Sequence, residues 1–472
     1  MALNNCSEAS EIDWNNVFVL NELIKYFDIK SLTEFSLISK FNRNKLISRL
    51  FTNSVLIGAN YHGYFKSNLI EYEGQLVFSM SSFIDNFWEL NELNIELREQ
   101  LTNIPELLGL TNRLINESSR IEPFIKSLRF FELGHLNYIL YPTIFAFTNL
   151  TQLELDTCTF PLLALLRIGE SLKKLKYLTL DKVLSIGFEK QELYSCLECF
   201  PSSLEDLKLN YFVIVTLNPN PSDIYIALNQ HHKEGSEFNY FKQLKTSSLK
   251  RLHSSFISSD YVRILLNLNP DLEEITITDS SLDQGLIDKF STMQSLTKLS
   301  IRTIDPGSPV ITSHSGFIFP QFNLITELAL DFSECLYKAN NEFIYFTNHF
   351  PNLNRLSIDL TGLNFKNIDI GKFFLETLPS YKKLEILTLV YMDYEDEYNF
   401  NWLKFININC LILDFEFAYP GEINFNLFSY KIKEVRKRTL NTKFELECIE
   451  DNAEMFDKWN IKIKGEYIYF TK

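Results

Sequence analysis

From residue 125 onward one short hydrophobic rhythm recurs: apolar, two polar, apolar, one polar, apolar. It reads IKSLRF from Ile125, LTQLEL from Leu150, LKYLTL from Leu175, LEDLKL from Leu204, LKRLHS from Leu249 and LEEITI from Leu272. It continues as LTKLSI from Leu296, ITELAL from Ile325, LNRLSI from Leu353, LEILTL from Leu384 and INCLIL from Ile408. Successive starts lie 25, 25, 29, 45, 23, 24, 29, 28, 31 and 24 residues apart. The alternation closing each phrase predicts a short strand, because strand side chains point to opposite faces in turn. One such strand cannot bury its apolar face alone. Parallel stacking of neighbours builds a continuous core, with a return segment closing each coil on the other side. The turns FPSSL, NPDL, FPNL and LPSYKKL precede strands, and Pro there stops a helix and favours an extended predecessor. The 45-residue step predicts an insertion. The tail segments KFELECI, near Phe444, and IKIKGEYIYF also alternate, so both are expected as strands that cap the stack.

Residues 13–57 carry a different period. Leu20, Leu23, Ile24 and Phe27 make one apolar stripe of a helix. Ser31-Leu32-Thr33-Glu34 has the form of a capping box and predicts the start of a second helix with Leu32, Phe35 and Ile38. A third is predicted over Leu46, Ile47, Leu50 and Phe51. Three short amphipathic helices are marginal alone, so part of their apolar surface is expected to face a partner or the stack. Residues 58–120 read as a mostly helical connector, with a break at Pro105. No Gly/Ser-rich or Pro-rich linker interrupts the chain, which predicts no freely swinging domains.

Composition narrows the class. The chain has 472 residues, 46% hydrophobic and 22% charged, which fits a globular protein and excludes a disordered or collagen-like one. With 45 Lys+Arg against 60 Asp+Glu the net charge is −15, which argues against a general nucleic-acid binder and leaves room only for a local basic face. The N-terminal MALNNCSEASEIDWNN lacks the features of a secretory signal, and no later run has the apolar length of a membrane span. A soluble protein of the cytoplasm, the nucleus or both is expected. Seven Cys without framework spacing fit a reducing compartment, where most serve as small core residues.

No nucleophile elbow, phosphate-binding loop, zinc-protease helix or calcium loop occurs in the sequence. No catalytic residue, cofactor or metal is therefore expected. Cys196-Leu197-Glu198-Cys199 lacks the second ligand pair that four-coordinate zinc needs, and His231-His232 sits in the polar stretch NQHHKEGSEFN and reads as an exposed loop. The basic run KIKEVRKR, Lys431 to Arg438, reads either as a nuclear address or anion site, or as a solvated face. More informative is the residue just past each strand's last apolar position. From Leu150 onward it is Asp156, Asp181, Asn210, Ser255, Thr278, Arg302, Asp331, Asp359, Val390 and Asp414. Equivalent positions on adjacent rungs lie ~5 Å apart. Asp156/Asp181 and Asp331/Asp359 are thus expected as two acidic patches around a middle holding Arg251, Lys298, Arg302 and Arg355. Two readings stay open: a concave surface for a partner with basic segments, or Asp suited to the strand exit, where its carboxylate accepts from backbone N–H groups.

The repeats resemble the leucine-rich-repeat family from about Ile121 to at least Asp414, since all but two of the ten steps fall within the family's ~20–29 residues. The family's Asn or Cys beyond the last strand Leu is matched by Cys158, with Val183, Phe212, Ser280 and Met392 at the same place elsewhere. The string LIKYFDIKSLTEFSLISK resembles the F-box, the module by which substrate receptors dock on a Skp-type adaptor of a cullin ubiquitin ligase; Asn15-Asn16 stands where that family has Leu-Pro. Together these imply an α/β chain: a three-helix F-box-like module (13–57), a connector (58–120) and an irregular leucine-rich-repeat solenoid with a curved parallel sheet and a C-terminal cap (121–472). The resemblance implies a non-catalytic substrate receptor that contacts the adaptor through Leu20, Leu23, Ile24, Phe27, Leu32, Leu37 and Ile38. It would hold a protein substrate on the strand face. The alternative is an interaction scaffold outside any ligase, its helices serving as an N-terminal cap.

Overall fold

The computed structural model describes residues 29–38, 40–50, 52–57, 69–72, 75–79, 121–134, 140–188, 200–217, 248–255, 259–302, 317–331, 346–359, 377–391, 408–415, 431–438, 442–451, 453–464 and 467–472, with isolated positions at 112, 115, 116 and 119. They fall into two compact units, one within Met1–Leu204 and Phe212–Leu244, the other within Glu205–Tyr211 and Lys245–Lys472.

The first unit opens with two packed helices, α1 (Ile29–Ile38) and α2 (Lys40–Leu50). They bury Leu32, Ser36, Asn42 and Leu46, and the Asn42 side chain donates to the carbonyl of Phe35 at 3.4 Å. Ser31 lies inside α1 instead of capping it, because Ile29 and Lys30 are themselves compatible with helix. The stripe Leu20, Leu23, Ile24 and Phe27 lies outside the described residues. The helical module also ends sooner than expected. Asn53–Ile57 forms strand β1, which pairs in parallel with β4 (Ser127–Gly134). Between them, within the stretch expected to be mostly helical, β2 (Leu69–Tyr72) and β3 (Gln75–Ser79) form an antiparallel hairpin that joins β1 through β3. A strand that finds a sheet edge gains backbone partners that a short isolated helix lacks.

The parallel run continues through β5 (Gln152–Pro161) and β6 (Tyr177–Asp181), with short helices α3 (Leu162–Leu166) and α4 (Ile168–Ser171) on the return. The far half of β5 turns into a second small sheet and pairs with β7 (Leu184–Phe188). While β8 (Asp206–Asn210) belongs to the second unit, β9 (Val213–Leu217) returns to the first and pairs with β7. One backbone device makes each of these corners. Thr157, Lys182 and Tyr211, each seven residues past the start of its phrase, have φ of 53°, 52° and 48°, the left-handed region that non-glycine residues seldom enter. The next residues, Cys158, Val183 and Phe212, are thereby turned inward and buried. At Ser280 the pattern breaks. A 3-10 turn, Asp279–Ser281, takes its place and leaves Ser280 exposed between two buried neighbours.

In the second unit β8 is followed by β10 (Arg251–Ser255), β11 (Glu274–Thr278), β12 (Lys298–Arg302), β13 (Glu327–Asp331), β14 (Arg355–Asp359), β15 (Ile386–Tyr391), β16 (Cys410–Phe415) and β17 (Glu434–Arg438), every neighbour parallel. Each strand starts two residues into its phrase. The register is locked by a shared carbonyl: Thr297 O accepts from both Thr326 N (2.9 Å) and Glu327 N (3.0 Å), and Glu273, Thr326, Asn354, Glu385 and Asn409 repeat the arrangement. The basic run KIKEVRKR, read as a nuclear address, an anion site or a solvated face, forms a twelfth repeat with Ile432 and Val435 in the core. Charged residues, with Lys437 at the last core position, interrupt the leucine pattern there.

Return segments of the second unit include α5 (Ser259–Leu268) and α6 (Gln284–Thr292), the latter capped by Asp283, whose carboxylate accepts from Leu286 N at 2.8 Å. Later returns pack aromatics, with Phe322 stacked on Phe350 at 4.6 Å and Phe346 edge-on to Phe350 at 5.0 Å. KFELECI, expected as a strand, lies in helix α7 (Thr442–Asp451), followed by α8 (Ala453–Phe456). Its alternation is only three apolar residues long, and the helical pair instead buries Ile449 and Phe456, the latter stacked on Phe470. IKIKGEYIYF does form strands: β18 (Asn460–Lys464) and β19 (Tyr467–Thr471) add to β17 in antiparallel order. At the edge, Lys462 and Lys464 discourage further strand addition.

In all twelve phrases the first, fourth and sixth residues are at most 5% exposed. Two of those sixth positions are polar. Ser254 is buried without a hydrogen-bond partner for its hydroxyl, and Lys437 runs its stem through the core and donates to the carbonyl of Arg438 at 3.2 Å. Truncating a core leucine leaves a cavity the neighbouring rungs cannot fill. Leu328→Ala is expected to lower unfolding free energy by about 2–5 kcal/mol in a urea titration. Conversely, Lys182→Gly relieves a left-handed penalty of about 1–2 kcal/mol against a glycine entropy cost of about 0.5–1 kcal/mol. A small rise in the urea midpoint should follow.

Candidate functional site

The first, third and fifth residues of the repeat strands lie on the side opposite the leucines; most are half-exposed, whereas Ser255, Thr276 and Thr278 are buried. In the second unit the first such row reads Asp206, Arg251, Glu274, Lys298, Glu327, Arg355, in register across β8 and β10–β14. The sign alternates at every step. Arg251 Nε lies 2.7 Å from Asp206 Oδ2, Lys298 Nζ 2.6 Å from Glu274 Oε1, and Arg355 Nη1 3.9 Å from Glu327 Oε2. The residues expected as a basic middle are thus interleaved with carboxylates that a phrase-by-phrase reading of the strand exits skipped. In the exit row, Arg302 Nε lies 3.6 Å from Asp331 Oδ2, and Asp331 is in register with Asp359. Asp414 faces Arg438 Nη1 at 3.5 Å.

The first unit has a tighter arrangement. Asp156 and Asp181 are in register on β5 and β6, as their spacing predicts. Arg129 on β4 reaches Asp156 Oδ2 with Nη2 at 3.0 Å and Glu154 Oε1 with Nε at 3.3 Å, its guanidinium lying 4.6 Å from the Phe131 ring centroid. Thr157 donates to Asp156 Oδ1 at 2.9 Å. This carboxylate is held by side chains, with a corner hydroxyl supplying part of what backbone N–H groups were expected to give. Partly exposed pairs of this kind contribute about 0–1 kcal/mol each to stability. Their larger effect is to fix which sign each rung offers a visitor.

His253, in the least regular phrase, gave no sequence signal. Its Nδ1 lies 2.9 Å from Thr276 Oγ1, and its Nε2 lies 3.8 Å from Asp206 Oδ1. Loss of hydration lowers its pKa below the usual 6.5, a shift that Asp206 and Glu274 oppose and that Arg302 and Lys208 reinforce. Burial pushes the Cys158 thiol up to about 12 and also raises that of Cys410. Among the described residues no group of three or more His, Cys, Asp or Glu is placed to hold a metal ion, and no helix is long and apolar enough to cross a membrane. Cys196, Cys199, His231 and His232 lie outside the described residues.

On α1 the expected adaptor residues separate. Leu32 is buried, whereas Leu37 is 68% exposed, and Ile38 ends the helix. A large apolar side chain so exposed beside a packed helix pair is a contact available to another surface.

No protein-family model matches the chain, and no curated protein matches it in sequence. Among solved structures it is similar to an internalin (inlF) from Listeria monocytogenes, with 13% identity over 62% of this chain and 76% of that one and a TM-score of 0.30. That likeness is too distant to bear on function. The chain's own repeats, with parallel strands in constant register and leucines inward, give it a leucine-rich-repeat type of fold.

A folded-state pKa below 6.5 means the unfolded chain binds His253's proton more readily. Its contribution to stability is present above pH ~6.5 and lost as pH falls through the lowered value. The wild-type urea midpoint should therefore drop on acidification below that point, and the drop should be smaller in His253→Gln. It will not vanish, because burial lowers His349 in the same direction.

Proposed function

We propose that the protein is a non-catalytic interaction scaffold whose exposed strand face binds a protein partner. The observation that carries this reading is the alternating charge row from Asp206 to Arg355, held in register on six neighbouring strands. A rigid lattice of fixed signs at ~5 Å spacing selects a partner with the complementary pattern and rejects others. Thr276, whose hydroxyl lies beside His253, is a buried residue.

The finer role we propose is that of a substrate receptor in a Skp–cullin–F-box ubiquitin ligase. Support comes from the F-box-like string around Leu32 and Leu37 and from the exposure of Leu37 on α1. In that role the chain supplies proximity. Tethering raises the effective concentration of substrate at the ligase, and bond formation belongs to other subunits. The partners are then a Skp-type adaptor with its cullin, and a protein substrate with basic segments, held on the strand face.

Co-purification tests both levels. A tagged full-length chain is expected to bring down a Skp-type adaptor, and Leu37→Asp to reduce its recovery at least tenfold while far-UV circular dichroism stays unchanged. Recovery of protein partners without any adaptor would leave the scaffold and remove the ligase role.

A further inference from the structure

At the C-terminal end of the second unit the strand face changes character. Antiparallel pairing of β17, β19 and β18 places Arg436, Tyr469 and Lys462 in one row and Arg438, Tyr467 and Lys464 in the next. Each row runs cation, aromatic, cation. All six side chains are on the face opposite the core residues Val435, Ile468 and Phe470. Arg436 lies with Cζ 5.4 Å from the Tyr469 ring centroid, while Glu434, 2.6 Å from its Nε, is the one acidic side chain on these three strands' outward face. In a chain of net charge −15 this is a local reversal of sign.

We propose that this surface binds an acidic, extended peptide segment of a protein partner. Lys462 and Lys464 are two residues apart on one strand, ~7 Å, which is also the spacing of alternate side chains in an extended peptide. Carboxylates at positions i and i+2 of such a peptide meet the two ammonium groups together. The tyrosines between the cation columns offer half-buried rings to an apolar or aromatic residue of the same segment. Strand-edge protection accounts for the lysines of β18 alone. It does not account for the tyrosines of β19, nor for the placing of Arg436 and Arg438, each beside a carboxylate (Glu434 and Asp414), in line with those lysines. Charge also limits the occupant's length. The neighbouring strand β16 presents Asp414, paired with Arg438, and β14, three strands from β17, presents Asp359, so a long polyanion such as a nucleic-acid strand running along the face meets repulsion within three strands. A short acidic segment does not.

The inference rests on the scaffold reading, but the two fail separately, since the test below involves neither the adaptor nor the row from Asp206 to Arg355. The full-length protein is titrated into a fluorescein-labelled ten-residue peptide with Glu at every second position, and anisotropy is followed at low and at physiological salt. Saturable binding is expected, weakened roughly tenfold or more by added salt and by the pair Lys462→Glu, Lys464→Glu. The neutral pair Lys462→Gln, Lys464→Gln should fall between, and it decides the matter if the Glu pair unfolds. No saturable binding, or equal binding by correctly folded variants, overturns the proposal. Tighter binding of a ten-nucleotide oligothymidylate overturns the choice of a peptide in favour of nucleic acid.

Discussion

Everything in this fold depends on one constraint: five-residue strands with apolar side chains on one face have no stability until a neighbour covers them. The first, fourth and sixth residues of each phrase supply the apolar surface. The shared carbonyl that accepts from two successive N–H groups of the next rung then sets where that neighbour sits. Burial is non-directional and rewards any collapse. The backbone ladder admits only one register, and a one-residue slip would turn leucines to solvent and charges into the core.

Because the register is fixed, the exposed face follows from it. Arg251, Lys298 and Arg355 each stand beside a carboxylate on an adjacent rung, so a column of single residues read down the sequence becomes a row of ion pairs. No pair contributes much stability. Their effect is to fix which sign stands at each position of the strand face. The corners show the same economy: at Thr157, Lys182 and Tyr211 a left-handed residue redirects the chain, and the residue after it enters the core.

The ends are handled differently from the middle. At the C-terminal end the last parallel rung is extended by the antiparallel strands β19 and β18, with Phe456 of α8 stacked on Phe470 of β19, and in the first unit β2 pairs antiparallel to β3. Antiparallel pairing needs only a short turn where a parallel partner needs a full return segment. It is an economical way to stop.

The sequence by itself determined the repeats. All eleven phrases became strands because a period-two apolar pattern recurring after mostly similar return lengths leaves little alternative, and even the mutual adjacency of Asp156 and Asp181 followed from spacing. What it did not determine were the elements without a leucine pattern. The rung Glu434–Arg438 was hidden by Lys437 at a core position, and β1 to β3 lay in stretches whose short apolar runs suit helix and strand alike. KFELECI shows the reverse error, three alternating residues resolved as helix by what they cover. Tertiary structure also decided the site, since whether Arg302 faces Asp331 or His253 faces Thr276 depends on which rung lies beside which. A strand's own residues specify its faces, but only its neighbours specify what those faces meet.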